Sequence, residues 1–330
     1  MREFDYVRPA DVREAVATVS ADPASAYLAG GTTQVDLMLK DGILDVERLV
    51  DITRLPLHGI RREGDALRVG ALTTMEELAA DPAVIERLPF VREALLLGAS
   101  VQLRNMATIG GNLLQRTRCR YFRDPTVSKC NKRGPGSGCA AIEGANRMHA
   151  ILGTSEHCIA LHASDLCVPL IALDAVVHIE GPSGDRSIPL TEFYLTPGAR
   201  PDRETVLEHG ELITAVEIPL LPEEARSGYL KVRDRVSYEF ALTSAGVALV
   251  MDGDRIHEAR VGLGGVGTIP WRARGAEDVL RDAPAGAEAF RAAAEAALEG
   301  AVAHSGTAFK VDLAKRTLVR TLETISEEWS

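Results

Sequence analysis

The chain has 330 residues, 46% of them hydrophobic and 25% charged, which is ordinary for a globular protein and long enough for one large domain or two of medium size. A formal net charge of −10 and a pI near 5.4 would repel a phosphate backbone, and no long basic tail offsets it, which argues against general nucleic-acid binding. No run approaches the roughly 18 apolar residues of a membrane span, and the opening MREFDYVRPADVREA has no apolar stretch suited to a signal peptide, so the expected location is the cytoplasm.

In chain order, Ser25 to Ala29 reads as a short buried strand that ends at Gly30-Gly31-Thr32-Thr33, with a helical pattern from Val35 to Lys40. Strands are predicted at Arg48 to Ile52 and Ala66 to Ala71. Thr73-Thr74 followed by Glu76-Glu77 gives overlapping capping boxes for a helix to about Ala80, and Leu88 to Ala99 reads as another helix. A second strand-like approach, Met106 to Ile109, runs into Gly110-Gly111-Asn112. Residues 115 to 156 are rich in Arg, Lys, Gly and Cys with little apolar periodicity, a composition that does not fold itself by hydrophobic burial. Helical pattern resumes at Ala163 to Ala175, followed by a hairpin of Val176 to Glu180 and Arg186 to Leu190 about Pro182-Ser183-Gly184-Asp185. A strand at Leu212 to Pro219 closes this unit, and Leu221 to Glu224 reads as a linker. Strands at Gly228 to Val232, Ala241 to Met251 and Ile256 to Leu263 come next. Helical stretches at Glu277 to Leu280, Ala287 to Leu298 and Val311 to Glu323 complete an α+β unit.

The two glycine turns have the character of pyrophosphate cradles, since glycines let backbone N–H groups approach a phosphate without side-chain obstruction. Neither matches G-x-G-x-x-G or the P-loop, which argues against a Rossmann or ATP site, and a single Gly-Gly pair is as consistent with an ordinary turn. Cys119, Cys130, Cys139 and Cys158 are separated by 10, 8 and 18 residues, matching neither a zinc finger nor the C-x2-C run of small ferredoxins. A protein folded in the cytosol is not expected to pair its five cysteines as disulfides, so a metal or cluster site leads. Arg116, Arg118, Arg120, Arg123, Lys129, Lys132, Arg133 and Arg147 surround the four, opposed by Asp124, Glu143 and Glu156. Such a charge island suits an anionic cluster; it also suits a basic loop that docks an acidic partner or RNA, and zinc is the rival metal. Cys167, in DLCVPLIAL, reads as a buried core residue, and His149 and His157 as surface residues or supports behind the cysteines. No nucleophile motif such as G-x-S-x-G is present.

The stretches YLAGGTTQVDLMLK (27 to 40), VQLRNMATIGGNLLQ (101 to 115) and HASDLCVPLIALDAVV (162 to 177) resemble the three FAD-binding signatures of the molybdenum hydroxylase flavoprotein subunits, as found in xanthine dehydrogenase, carbon monoxide dehydrogenase and bacterial aldehyde oxidoreductase. The later segments LITAVEIP (212 to 219), LKVRDRVSYEFALTSAGVAL (230 to 249) and VGLGGVGTIPWRA (261 to 273) extend the resemblance over the chain. It implies a two-part FAD-binding domain of PCMH type (vanillyl-alcohol oxidase-like) over residues 1–221. A smaller α+β domain of the CO dehydrogenase flavoprotein type is implied for 222–330. It further implies FAD contacts from Tyr27, Leu28, Ala29, Gly30, Gly31, Thr32, Thr33 and Gln34, from Thr108, Gly111 and Asn112, and from Asp165, Ile213 and Lys231. For Asp165 the bland alternative is a helix cap beside Ser164, and for Lys231 a solvated strand lysine. Tyr238 is a candidate to approach the flavin ring, against the alternative of a packed aromatic.

A cluster-bearing minority of the family has an insertion after the second glycine turn, similar to residues 115–158 here. The likeness implies Cys119, Cys130, Cys139 and Cys158 as ligands of a [4Fe-4S] cluster, which would order the segment. The function implied is an FAD and [4Fe-4S] electron-transfer subunit of a molybdenum-dependent aldehyde oxidoreductase. Its implied partners are a large molybdenum-cofactor subunit and a small [2Fe-2S] subunit, and electrons would leave to a terminal acceptor. Substrate oxidation would occur on a partner, with no catalytic side chain here; export on a partner's twin-arginine signal would place the complex in the periplasm. The rival readings are a stand-alone flavin oxidase or reductase and a non-enzymatic zinc or nucleic-acid module.

Overall fold

The computed structural model describes residues 3–40 and 42–327. Three sheets organise them. Strands β1 (Asp5–Val7), β2 (Ser25–Leu28) and β3 (Arg48–Asp51) form a parallel sheet in the order β1-β3-β2. Strands β4 (Ile60–Glu63), β5 (Ala66–Gly70), β6 (Val176–Gly181), β7 (Gly184–Pro189) and β8 (Leu212–Pro219) form an antiparallel sheet in the order β4-β5-β8-β6-β7. The third sheet is also antiparallel, with β9 (Arg226–Val232), β10 (Thr243–Asp252), β11 (Arg255–Gly264) and β12 (Trp271–Arg272) in the order β12-β11-β10-β9.

Each sheet buries one face. Ala15, Val16 and Val19 of the helix Val12–Ser20 close on Val50 and Ile52 beside the parallel sheet. Leu67 and Val69 of β5, Val177 and Ile179 of β6 and Val216 and Ile218 of β8 meet Leu78, Phe90, Ala94 and Leu95 from the helices of residues 75–97. The β10–β11 face, with Val247, Leu249, Val261 and Leu263, is covered by the helices Arg274–Leu280, Ala287–Ala297 and Phe309–Glu327. Strands first and helices second is the order expected for the C-terminal unit.

The overlapping capping boxes resolve in favour of Thr74, whose hydroxyl accepts from Glu77 N while the Glu77 carboxylate accepts from Thr74 N. The expected strand at Met106 to Ile109 is not one. Ile109 N and Gly110 N donate to the carbonyls of Thr73 and Ala71, so this backbone docks across the end of β5 and then turns into the helix Ile109–Leu113 capped by Thr108. The helix expected over Ala163 to Ala175 is confined to Cys167–Ala172, because the Ser164 hydroxyl takes Cys167 N and sets its start. Residues Asp36–Lys40 form a single turn of π-helix, and the β4 strand had no clear signal in the sequence.

The cysteine-rich segment has more apolar support than its composition suggested. Phe122 and Cys130 pack with Leu37, and Ile151 and Leu152 enter the C-terminal core. Ile151 N and Leu152 N both donate to Val266 O, at 2.8 and 3.0 Å, and Leu152 pairs with Gly267. The insertion therefore borrows its core from both flanking units.

Candidate functional site: a two-chambered cleft beside four cysteines

The turn after β2 and the helix start at Thr108 lie against each other. A Cβ on Gly30 would stand 1.8 Å from Met106 O, so only glycine permits the approach. Gly31 has φ +71°, the left-handed conformation that suits glycine, and it redirects the chain into Thr32 and Thr33. On the opposing side the Thr108 hydroxyl accepts from Gly111 N at 3.2 Å. Two cavities, of about 450 and 430 Å³, meet at Thr32, Thr33 and Gly111. Each has the size of a small-ligand site, and their junction falls at the paired glycines, the arrangement a dinucleotide with a central pyrophosphate would occupy.

The first chamber is lined by Tyr27, Ala29, Gly30, Gly31, Gln34, Thr108 and Ile213. Tyr27 is fixed by donating its hydroxyl to Gly210 O at 2.6 Å, and Ile213 is presented from β8. Leu28 lines neither chamber. The second chamber is lined by Met75, Asn112, Asp165, Lys231, Tyr238 and Phe240 among others. Asn112 is held by Ser164, whose hydroxyl donates to its Oδ1 at 2.5 Å, and by Gln115.

Asp165 does not cap a helix. Its Oδ2 receives Lys231 Nζ at 2.7 Å and its Oδ1 the Tyr229 hydroxyl at 2.7 Å, while Lys231 also donates to Leu97 O. The Lys231 side chain is 1% exposed, so the solvated-lysine reading is overturned: this is a buried ion pair in the chamber wall. Burial lifts the Tyr229 phenol well above its ordinary range, with the Asp165 charge adding to the effect. Tyr238 is no packed aromatic: it is 57% exposed, stands at φ +53° and has the Arg235 guanidinium 5.8 Å from its ring centre. A tyrosine held at positive φ is strained, and it projects at the mouth of the second chamber.

Cys119, Cys130, Cys139 and Cys158 all line one small cavity, together with Lys129, Asn131, Lys132 and His157 and no carboxylate. Cys130 and Cys139 face each other across a bridge. Among the described residues no group of three or more His, Cys, Asp or Glu side chains is placed to hold a metal ion. The chemistry of the set, four thiols beside two lysines, suits a thiolate-ligated, net anionic centre. The sulfurs are also approached by backbone N–H groups. Cys119 is pushed up to about 11 by burial, opposed by the amides of Phe122 and Tyr121. Cys139 is brought down by the hydrogen bond from the Cys158 thiol and by the amides of Ala141, Ile142 and Ile159, while Cys158, the donor in that bond, is raised. Cys167 lies outside this group, fully buried with its sulfur 3.1 Å from the Tyr194 hydroxyl.

The charge island is largely answered from elsewhere in the chain. Arg123 pairs with Asp36 at 2.8 Å, Lys132 with Glu204 at 2.7 Å, Arg116 with the same Glu204, and Arg147 with Asp234 at 2.9 Å. Arg133 donates to the carbonyls of Tyr121, Phe122 and Val127. These acids were invisible to a local count of charge because they lie about 80 residues away in sequence; for the island they weaken the reading of a docking surface for RNA. His149, left open as surface or support, is buried with Nε2 3.2 Å from Cys119 Sγ.

With this geometry in view, the family is defined. Residues 2–221 match the FAD binding domain in molybdopterin dehydrogenase and residues 228–325 the CO dehydrogenase flavoprotein C-terminal domain. The chain belongs to this family of FAD-binding oxidoreductase subunits, with the two-part cofactor domain and the smaller C-terminal domain of that fold. Its relatives include the aldehyde oxidoreductase FAD-binding subunit of Escherichia coli, 44% identical over 98% of each chain. The carbon monoxide dehydrogenase medium chain of Afipia carboxidovorans is 31% identical over 84% of this chain and 79% of that one. Among solved structures, carbon monoxide dehydrogenase from Hydrogenophaga pseudoflava superposes with a TM-score of 0.77 at 27% identity, covering 99% of this chain and 98% of the other.

Proposed function

We propose that the chain is the FAD- and [4Fe-4S]-carrying electron-transfer subunit of a molybdenum-dependent aldehyde oxidoreductase, working with a large molybdenum-cofactor subunit and a small [2Fe-2S] subunit. The observation that carries this reading is one chain holding both a dinucleotide-sized double chamber and four convergent cysteines. The 44% identity with an aldehyde oxidoreductase subunit supports the aldehyde class over the other substrates of the family.

In this reading residues 29–34 and the pair Gly111-Asn112 would hold the FAD pyrophosphate, with Tyr27, Thr108 and Ile213 lining the first chamber and Asp165 and Lys231 the second. Bound there, FAD supplies the redox chemistry, and the protein positions it and limits access. The Lys231–Asp165 pair presents a fixed dipole to the second chamber, and Tyr238 stands where it can screen the chamber mouth. Cys119, Cys130, Cys139 and Cys158 hold the cluster, with Lys129 and Lys132 offsetting its negative charge.

Anaerobic purification tests both cofactors together. One FAD and about four iron atoms per chain are expected from four-cysteine ligation of one cubane, with flavin bands over broad iron–sulfur absorption. Zinc without iron or flavin would overturn the reading. Aldehyde oxidation by the isolated chain would instead favour a stand-alone flavoenzyme, whereas the proposal expects activity only when the molybdenum and [2Fe-2S] subunits co-purify.

A further inference from the structure

Of the buried polar groups that the FAD chambers leave unused, His149 is the most tightly constrained. It lies in the insertion between Cys139 and Cys158 and is 3% exposed. Its Nε2 stands 3.2 Å from Cys119 Sγ, and its Nδ1 is buried with no hydrogen-bond partner among the described residues. The main chain at this position is pinned from both sides. His149 N donates to Asn146 O at 2.8 Å, and His149 O accepts from Lys310 Nζ at 2.8 Å. Lys310, on the C-terminal helix and 0% exposed, also donates to Gly265 O at 2.7 Å, so a single side chain fastens the insertion to the β11 end.

A cluster-bound sulfur carries no proton and can only accept. The Cys119–His149 contact is then a hydrogen bond only if Nε2 bears the hydrogen, which leaves Nδ1 as a bare acceptor. The other tautomer would turn Nδ1–H toward the Asn146 carbonyl but set two lone pairs, of Nε2 and of the thiolate, against each other at 3.2 Å, the costlier arrangement at the sulfur. We infer that His149 is a positioning residue for the cluster, donating Nε2–H to the Cys119 sulfur so as to orient that ligand and stabilise the reduced cluster. The inference rests on the cluster reading above. Hydrogen bonds to ligand sulfurs draw charge from them and raise the reduction potential, and they fix the ligand's rotamer.

The test uses the full chain purified anaerobically as wild type, His149→Leu and His149→Gln, with iron and FAD content measured and the cluster titrated by EPR. FAD content equal to wild type certifies that each variant has folded. Leucine removes the donor and is expected to weaken cluster reduction about tenfold, a downward shift of about 59 mV for one electron. Glutamine retains a donor and is expected to recover most of that shift. Iron loss in the leucine variant alone would support the same conclusion. An unchanged potential in the leucine variant, or equal iron loss in both, would overturn the role of His149. Wild-type protein without iron would instead overturn the cluster reading, so the two failures are distinguishable.

Discussion

Asp165 and Lys231 joined at 2.7 Å, one 11% and the other 1% exposed at the side chain, form a pair in which neither partner can be removed cheaply. Asp165→Asn leaves a buried ammonium facing a neutral amide, and a loss of about 3–5 kcal/mol in unfolding free energy is expected by chemical denaturation. The double change Asp165→Asn with Lys231→Met should recover much of it, since the stranded charge is then gone. At Gly30 the constraint is spatial. An alanine there must displace the Met106 carbonyl from its 1.8 Å position, and overpacking of this kind costs about 1–3 kcal/mol. Because the two glycine turns would be pushed apart, Gly30→Ala is expected, on the proposed placement of FAD between them, to weaken FAD retention about tenfold or more, read as the flavin-to-protein ratio after gel filtration. Gly111→Ala has only the Thr108 hydroxyl to move, at 2.9 Å, and should be milder.

Among the elements, those whose amphipathic pattern and caps agree were legible from sequence. Leu212–Pro219 has the expected limits, and the Thr74 capping box starts its helix as expected. Thr74→Ala removes the hydroxyl half of that box and keeps the backbone N–H bond to Glu77, and a loss of about 1 kcal/mol is expected in thermal or chemical unfolding. Legibility failed where partners come from far along the chain. Met106 to Ile109 has the composition of a strand, yet its amides go to carbonyls of residues 71 and 73 and not to a ladder. The short helix Cys167–Ala172 is started by the Ser164 hydroxyl and stopped near the positive φ of Asp174, neither of which leaves a periodic trace. The two glycine turns were visible as dipeptides, but their face-to-face contact, which makes one site of them, is tertiary. The same holds for the Lys231–Asp165 pair and for His149 against Cys119, joined across 66 and 30 residues.

At the scale of the molecule, two groups predict the response to acid. Burial lowers the His162 imidazole from 6.5 to about 4, so the unfolded chain binds a proton that the folded chain refuses over that interval. Stability should fall as pH drops from 6.5 to 4, by up to about 3 kcal/mol for this one group. Asp51 acts lower. Burial opposes its charge, but hydrogen bonds from Tyr6, Thr53 and Arg8 outweigh burial and hold its carboxyl well below the ordinary range. Its stabilising contribution is present above the unfolded value near 3.8 and is lost as pH falls toward the folded one. Unfolding midpoints measured from pH 7 to pH 4 should therefore decline, and His162→Phe should flatten the profile. If the cysteines hold the proposed cluster, iron removal is predicted to act unevenly. With Ile151 and Leu152 seated in the C-terminal core, chelation should open residues near 119–139 to protease while those near 146–160 stay protected, as read by limited proteolysis with mass spectrometry.

Lys310 gives the insertion a timetable. The carbonyl of His149 is held by a side chain that the ribosome adds 152 residues after Cys158 (310 minus 158). At about 5–20 residues per second, roughly eight to thirty seconds separate the last of the four cysteines from the lysine that fastens His149 beside them. During that interval the thiols exist without their anchor, and iron delivered then would meet an unfinished receptacle. If the four cysteines hold a cluster, its loading is expected only after the C-terminal helix has been made and Lys310 has closed on His149.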